Sequence, residues 1–352
     1  MARIKKEDLA QFCAAALEKE GMSPENARIT AEVLSTTDAF GVHSHGTKNL
    51  HNYIRKVRAG GAVMNAEFTR VLDGPSFALI DAHNQIGMVP SYKAMELAIE
   101  KAEKTGIALV TVRNSCHFGA AGYYANMAAE RGMIGLSMSN VDPNMTVPGA
   151  RGMLIGNNPF SYAAPANVQP SVFLDIAMSN VASLKVVQAR KDHKLIPETW
   201  IVDKDGLPTN DPSHYPEEGA MQPMAAHKGY GLSVMVELLT GILSGGGVSS
   251  MGDIVSWCFE LEKKNNVCHT FIAIDAKQFL GEGVLESRMD QLIGKLHDAP
   301  KAKNADRILT PGELEWGRCG KVKEQGIDLP ADVQESLEGL SEDVGIPLKF
   351  VG

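Results

Sequence analysis

The chain is poor in the features that mark specialised protein classes. Its five cysteines, Cys13, Cys116, Cys258, Cys268 and Cys319, are scattered over 352 residues without a C-x-x-C pair. Neither a disulfide framework nor a zinc ribbon is indicated, and a reducing compartment fits. No apolar run reaches the about 18 residues that span a bilayer, and the opening MARIKKEDLAQ enters charged amphipathic helix without the apolar stretch of an export signal. A cytoplasmic protein is therefore expected, with no membrane partner. Basic residues are not in excess either: 34 Lys plus Arg against 42 Asp plus Glu give a formal charge of -8. With no Lys/Arg cluster to neutralise a phosphate backbone, nucleic acid is not an expected partner. Three local signatures are also missing: G-x-G-x-x-G after a strand, G-x-x-x-x-G-K-[ST], and G-x-S-x-G. A dinucleotide, if bound, is bound without the common fingerprint.

What remains is an ordinary globular composition, 44% hydrophobic and 22% charged, in a chain longer than one hydrophobic core usually serves. Two packed domains are expected. Residues 5 to 60 read as three helices that precede any strand: Leu9, Phe12, Cys13, Ala16 and Leu17 share one face of the first. Ser23-Pro24-Glu25 is an N-cap with proline at the first helical position, and Leu50, Tyr53, Ile54 and Val57 recur at helical spacing before Gly60-Gly61. From about residue 76 the pattern becomes short β-rich runs, SFALIDA, GIALVTVRN, MIGLSMSNV and SVFLDIAM, interleaved with helical stretches, as in an α/β domain with a buried sheet. A boundary is placed near residue 73. Residues 226 to 244 read as the most apolar helix, Gly245-Gly246-Gly247 as a flexible loop, and FIAIDAKQF as a further strand. The tail from residue 284 returns to charged amphipathic helix able to pack on the N-terminal helices.

Four segments can carry chemistry. Gly41-Val42-His43-Ser44-His45-Gly46 sets two imidazoles and a hydroxyl between glycines, directly before a helix. Histidine titrates near neutral pH and can take a hydroxyl proton while hydride leaves the adjoining carbon. Ser44 can equally be a helix cap with the histidines as polar loop residues, and a metal reading of His-x-His lacks further ligands. In Asn114-Ser115-Cys116-His117-Phe118-Gly119-Ala120-Ala121-Gly122 a strand end runs into a small-residue turn and a helix, where ligands collect; His117 is a proton donor, a carboxylate partner or a capping residue. Lys228-Gly229-Tyr230-Gly231 opens the apolar helix, where free amides, the helix dipole and a lysine can hold a phosphate, or where small residues only allow close packing. The loop from Gly149 through Asn157-Asn158-Pro159-Phe160 can accept a ligand backbone or merely turn, and is read as turns.

Taken together the motifs resemble the malate/L-lactate dehydrogenase family of the second, non-Rossmann type, which includes ureidoglycolate, sulfolactate and 2,3-diketogulonate enzymes. The resemblance rests on GVHSHG at 41–46, NSCHFGAAGYYANMA at 114–128, GNNPFSYAAP at 156–165, LDIAMS at 174–179, IPETWIVDKDGLPTNDP at 196–212, HKGYGL at 227–232 and PGELEW at 311–316. It implies an α/β fold in which a mixed-sheet, non-Rossmann cofactor domain (74–283) is inserted into a helical domain built from both chain ends (1–73 plus 284–352). It further implies a homodimer using NAD or NADP on a small 2-hydroxy acid such as malate, lactate or ureidoglycolate, with no metal. By position, His45 is the acid/base residue and His117 the second active-site histidine. His43, Ser44, Lys48, Asn49 and Tyr53 are expected to line the substrate. Asn140, the strand residues Phe173, Leu174, Asp175, Ile176, Ala177, Met178 and Ser179, then His227, Lys228, Gly312, Glu313 and Leu314 are expected to contact the cofactor. Two departures stand out: Asn49 occupies the place of an arginine that would grip a carboxylate bidentately, and the glycine usual before Lys185 is absent. The same family contains reductases of cyclic imino acids, so that reaction, or a catalytically silent ligand-binding relative, is the alternative.

Overall fold

The computed structural model describes residues 3–350. A two-residue strand, β1 (Arg3–Ile4), comes before helices α1 (Lys6–Lys19), α2 (Pro24–Ala39) and α3 (Leu50–Arg58), so the expectation that helices precede every strand misses one short strand. The face read for α1, Leu9, Phe12, Cys13, Ala16 and Leu17, is buried. Ser23 caps α2 by accepting from the Asn26 amide, with Pro24 opening the helix.

Strands β2 (Thr69–Asp73), β3 (Phe77–Asp81), β4 (Ile107–Ser115), β5 (Ile134–Ser139), β6 (Phe160–Ala164), β7 (Val172–Ile176) and the late β11 (Val267–Ile274) form one seven-stranded sheet in the order β2-β3-β4-β11-β5-β6-β7. Only β3 and β4 are parallel, joined through α4 (Met88–Thr105) as a parallel pair requires. All other pairs are antiparallel, giving the expected mixed sheet. Thr69–Asp73 hydrogen-bonds into this sheet, ahead of the boundary placed near residue 73. The loop read as turns ends at Phe160, where β6 begins; its Phe-Ser-Tyr-Ala-Ala follows a run of Gly, Asn and Pro that masks the strand.

α4 and α5 (Ala121–Ala129) pack on the sheet. Beyond β7 come α6 (Ser183–Lys191) and a three-stranded ribbon of β8 (Ile201–Val202), β9 (Pro208–Thr209) and β10 (Ala220–Met221), with its own core of Met145, Met178, Ile201, Tyr215 and Met221. The apolar helix is α7 (His227–Glu237), continued by a π-turn at Leu238–Ile242. Only the first part of FIAIDAKQF is strand, because Lys277–Leu280 closes into α8, started by Asp275 accepting from the Lys277 amide. The Gly245-Gly246-Gly247 run is packed and not a free loop: Gly247 accepts from Asn140, and a side chain at Gly246 would run into Cys268.

α9 (Val284–His297) leans on α8, whereas α10 (Glu313–Gln325) packs on α2 and α11 (Ala331–Val344) on α3 and α1. β12 (Ile327–Asp328) pairs with β1, so the two chain ends meet. The largest core is continuous from the N-terminal helices through the sheet to α11. No helix among the described residues is long and apolar enough to cross a membrane.

Candidate active site

The loop between α2 and α3 is organised by a buried acid that the motif reading passed over. Asp38, in the last turn of α2, faces His43 Nδ1 with one oxygen (2.9 Å) and accepts from the Thr47 amide (2.8 Å) and hydroxyl (2.6 Å) with the other. A Cβ at Gly46 would collide with this carboxylate, which is why glycine follows His45. His43 is thus tied to Asp38, while His45 Nδ1 pairs with the Ser44 hydroxyl at 2.8 Å. Asn49 Nδ2 donates to the Ser44 carbonyl at 2.8 Å, so Asn49 braces the loop from within. Lys48, expected to line the substrate, reaches Asp332 on α11 at 2.5 Å and so ties α11 to this loop.

His117, in the turn between β4 and α5, comes to within 5.5 Å of His45, ring centre to ring centre. The Tyr53 hydroxyl lies 2.5 Å from His117 Nδ1, and the Gly119 amide points at the same nitrogen from 3.4 Å. An amide can only donate, so Nδ1 is the acceptor and the ring proton of neutral His117 is assigned to Nε2. The turn is held from below by His269 on β11, whose Nε2 lies 2.9 Å from the Ser115 hydroxyl and 3.2 Å from the Cys116 carbonyl, with its ring stacked on Phe118 at 4.5 Å. Burial lowers the pKa of His45; burial, with His45 and His269 nearby, lowers that of His117 further. Both imidazoles are neutral near pH 7. Trp257, from the segment between α7 and β11, stacks on His117 at 4.6 Å and on Tyr53 at 4.8 Å. Sequence reasoning missed it, since an isolated tryptophan in an irregular segment carries no periodicity or motif.

β7 carries Phe173, Leu174, Asp175 and Ile176, four of the thirteen residues expected at the cofactor. Asp175 accepts from the Gly122 amide in the first turn of α5 (2.7 Å); burial raises its pKa to about 6. That contact joins β7 to the helix His117 leads into. At the start of the strand, the Phe173 amide donates to the Pro311 carbonyl. Gly312, at a φ of 92° that favours glycine, leaves room for the Phe173 ring. Phe40, just before Gly41, completes an aromatic trio with Phe173 (5.3 Å) and Trp316 (5.1 Å) that ties the histidine loop to β7. Past the strand end, Met178 accepts from Met224, and Ser179 bridges to Pro223, beside the start of α7. There His227 and Lys228 are exposed, and their side chains make no hydrogen bond or ion pair among the described residues.

Two residues expected at the cofactor have their polar atoms bonded within the protein. Asn140 is fully buried, donating to Gly247 and Glu237 and accepting from the Cys268 amide, so it is a structural bracket. Glu313 accepts from the Thr310 amide and hydroxyl and faces His297 Nε2 at 2.8 Å, holding the turn that leads into its own helix. Leu314 is exposed beside it. Among the described residues no group of three or more His, Cys, Asp or Glu side chains is arranged to hold a metal.

Two neighbouring neutral imidazoles, one with its tautomer set by its partners, on a mixed sheet outside the classical dinucleotide topology, are the equipment of a proton-transfer enzyme. The chain belongs to the malate/L-lactate dehydrogenase family, whose model matches residues 4–338, and it is an oxidoreductase of that family. It is 38% identical over 351 residues to a malate dehydrogenase of Pyrococcus abyssi, covering 98% of this chain and 95% of that one. Among solved structures, the sulfolactate dehydrogenase of Methanocaldococcus jannaschii is 32% identical with a TM-score of 0.90, covering 98% of each chain. The delta1-piperideine-2-carboxylate reductase of Pseudomonas syringae is 29% identical with a TM-score of 0.86, covering 97% of this chain and 100% of that one.

Proposed function

We propose that the protein interconverts a small 2-hydroxy acid and its 2-oxo acid, with NAD or NADP as hydride carrier. The observation that carries this reading is the His45–His117 pair, 5.5 Å apart and lowered in pKa by burial, at a turn joined through α5 to β7. The uncommitted His227 and Lys228 at the positive end of α7 suit a dinucleotide phosphate, and β7 with Gly312 suits the flat remainder of such a molecule. When bound, the nicotinamide ring gives or takes the hydride. The protein's own share is the proton. Neutral His45 is placed first as the base that takes the hydroxyl proton in oxidation, and its protonated form returns it in reduction. His117 presents Nε2–H, a donor suited to a carbonyl or a developing alkoxide, with Tyr53 behind it. Because both imidazoles are neutral near pH 7, oxidation finds its base ready, whereas reduction gains as the pH falls or as a substrate carboxylate raises the histidine pKa.

Reduction of a cyclic imino acid is a second reading. It is favoured by Asn49, which braces the Ser44 carbonyl and brings no guanidinium to the site for the second carboxylate of a diacid. The apolar residues Leu238, Ile242 and Leu243, about half exposed on the continuation of α7, together with Met251 and Phe259, support a homodimer. The direct test is His45→Ala. Turnover should fall by about a hundredfold or more, the usual share of acid/base catalysis, while NADH or NADPH binding followed by fluorescence stays within twofold, about the scatter of such measurements. Unchanged turnover removes His45 from the mechanism.

A further inference from the structure

Lys56 is a buried cation with no carboxylate in contact among the described residues. It lies on α3, one turn past Tyr53, and is fully excluded from solvent. Its Nζ donates to two backbone carbonyls, Glu260 at 3.0 Å and Lys263 at 2.6 Å. Burying an ammonium group costs several kcal/mol, and two neutral carbonyls are modest compensation, so the side chain is not there for stability alone. What it holds is the irregular segment 252–266, which contains no helix or strand. Inside that segment the ties are short-range or long: Asn265 Nδ2 to the Val255 carbonyl (2.5 Å), Asn266 Nδ2 to the Asp253 carbonyl (3.2 Å), the Lys263–Glu260 pair (2.5 Å), the Ser256 hydroxyl beside Cys258 Sγ (3.3 Å), and backbone bonds of 3.2–3.4 Å from Val255 to Asn265, Glu260 to Ser256 and Lys263 to Glu260. A second point of α3's end closes on the same stretch, because any side chain at Gly61 would collide with the Leu261 and Lys263 carbonyls.

The segment carries Trp257. Its indole lies nearly parallel to the His117 ring, 4.6 Å away and inclined by 14°, and stacks on Tyr53 at 4.8 Å and 23°. One helix therefore grips the segment at Lys56 and holds His117 Nδ1 through Tyr53, while the gripped segment covers the imidazole with Trp257.

We propose that Lys56 is a positioning residue for the reaction: it latches segment 252–266 so that Trp257 fixes the plane of the His117 imidazole and shields one of its faces. The inference rests on the reading of His117 as a member of the acid/base pair. Its mechanism is geometric. A ring free to tilt points Nε2 away from the reacting oxygen, and an error of about 1 Å at such a place costs up to about a hundredfold in rate.

The test compares Lys56→Met, Gly61→Ala and Trp257→Ala in the full-length protein. Gly61 does not have a positive φ, so alanine there disturbs the segment and not its own backbone. Trp257 emission is isolated by difference against Trp257→Phe, and nucleotide affinity is read from NADH or NADPH fluorescence. The expected result is an altered Trp257 emission in Lys56→Met and Gly61→Ala, and a kcat lowered by about tenfold to a hundredfold with nucleotide affinity kept. The Lys56→Met/Trp257→Ala double variant should be no slower than Trp257→Ala alone, since both break one linkage. Penalties that multiply in the double variant, or wild-type kcat in a folded Lys56→Met or Gly61→Ala, overturn the latch. If neither of these folds, wild-type kcat in Trp257→Ala overturns it. The acid/base reading fails separately, by full turnover in His117→Ala.

Discussion

His117 has one nitrogen committed and one free, and this asymmetry is what a proton relay needs. Replacing Tyr53 by Phe removes the hydroxyl from Nδ1 but keeps the ring that stacks on Trp257. A lost buried hydrogen bond is worth about 1–3 kcal/mol, so Tyr53→Phe should lower kcat by about tenfold to a hundredfold while the protein stays folded. The pH profile tests the same site. With the pKa of both histidines lowered by burial, the base is neutral from pH 7 upward. Oxidation should therefore hold its rate at neutral and alkaline pH and fail only on acidification below the ordinary histidine range. A fall beginning above pH 7, measured on kcat/KM of the free enzyme, would contradict this. Much of the candidate site was legible at this scale because the histidines that the fold brings together stand in dense local motifs, GVHSHG and NSCHFG. Asp38, Lys56 and Trp257 were not: their partners lie on the far side of a loop or some 200 residues away, and nothing local distinguishes a latching lysine from a solvated one.

Elements deliver these residues to one place by close approach. α5, which follows the His117 turn, sits so near β5 that a Cβ at Gly135 would strike the Ala125 carbonyl. Gly135→Ala should destabilise the fold by about 1–3 kcal/mol, the usual result of overpacking, and lower activity through the His117 turn; a denaturant melt with an unchanged midpoint would contradict the packing account. Strands with plain apolar runs, β3, β4, β5 and β7, were visible in the sequence. β6 was hidden behind Gly-Asn-Asn-Pro, and the end of FIAIDAKQF turned into α8 because Asp275 offers its carboxylate to the next helix. The structural bonds of Asn140 and Glu313 were not legible, because a polar residue near a ligand groove and a polar residue bracing that groove look alike until their partners are seen.

Across the whole molecule the chain ends meet, through β1 with β12 and α11 on α3, and the loop that carries His45 runs into a turn lying against α11 at that junction. The mixed sheet and the return of the tail were foreseeable from the order of helical and β-rich segments and from the resemblance, but the entry of Thr69–Asp73 into the sheet was not, its pattern being too exposed and polar to stand out. The apolar face continuing α7 makes a claim about assembly: Ile242→Glu should shift the solution mass measured by light scattering from dimer to monomer, and an unchanged mass would place the contact elsewhere. The central claim is tested most directly by following NADH and NADPH oxidation against oxaloacetate, pyruvate, oxalurate, sulfopyruvate, 2,3-diketogulonate and cyclic imines. The account predicts turnover of one 2-oxo acid well above the others and its loss in His45→Ala. Nucleotide oxidation with imines alone would establish the second reading, and neither binding nor oxidation of either nucleotide would contradict the account.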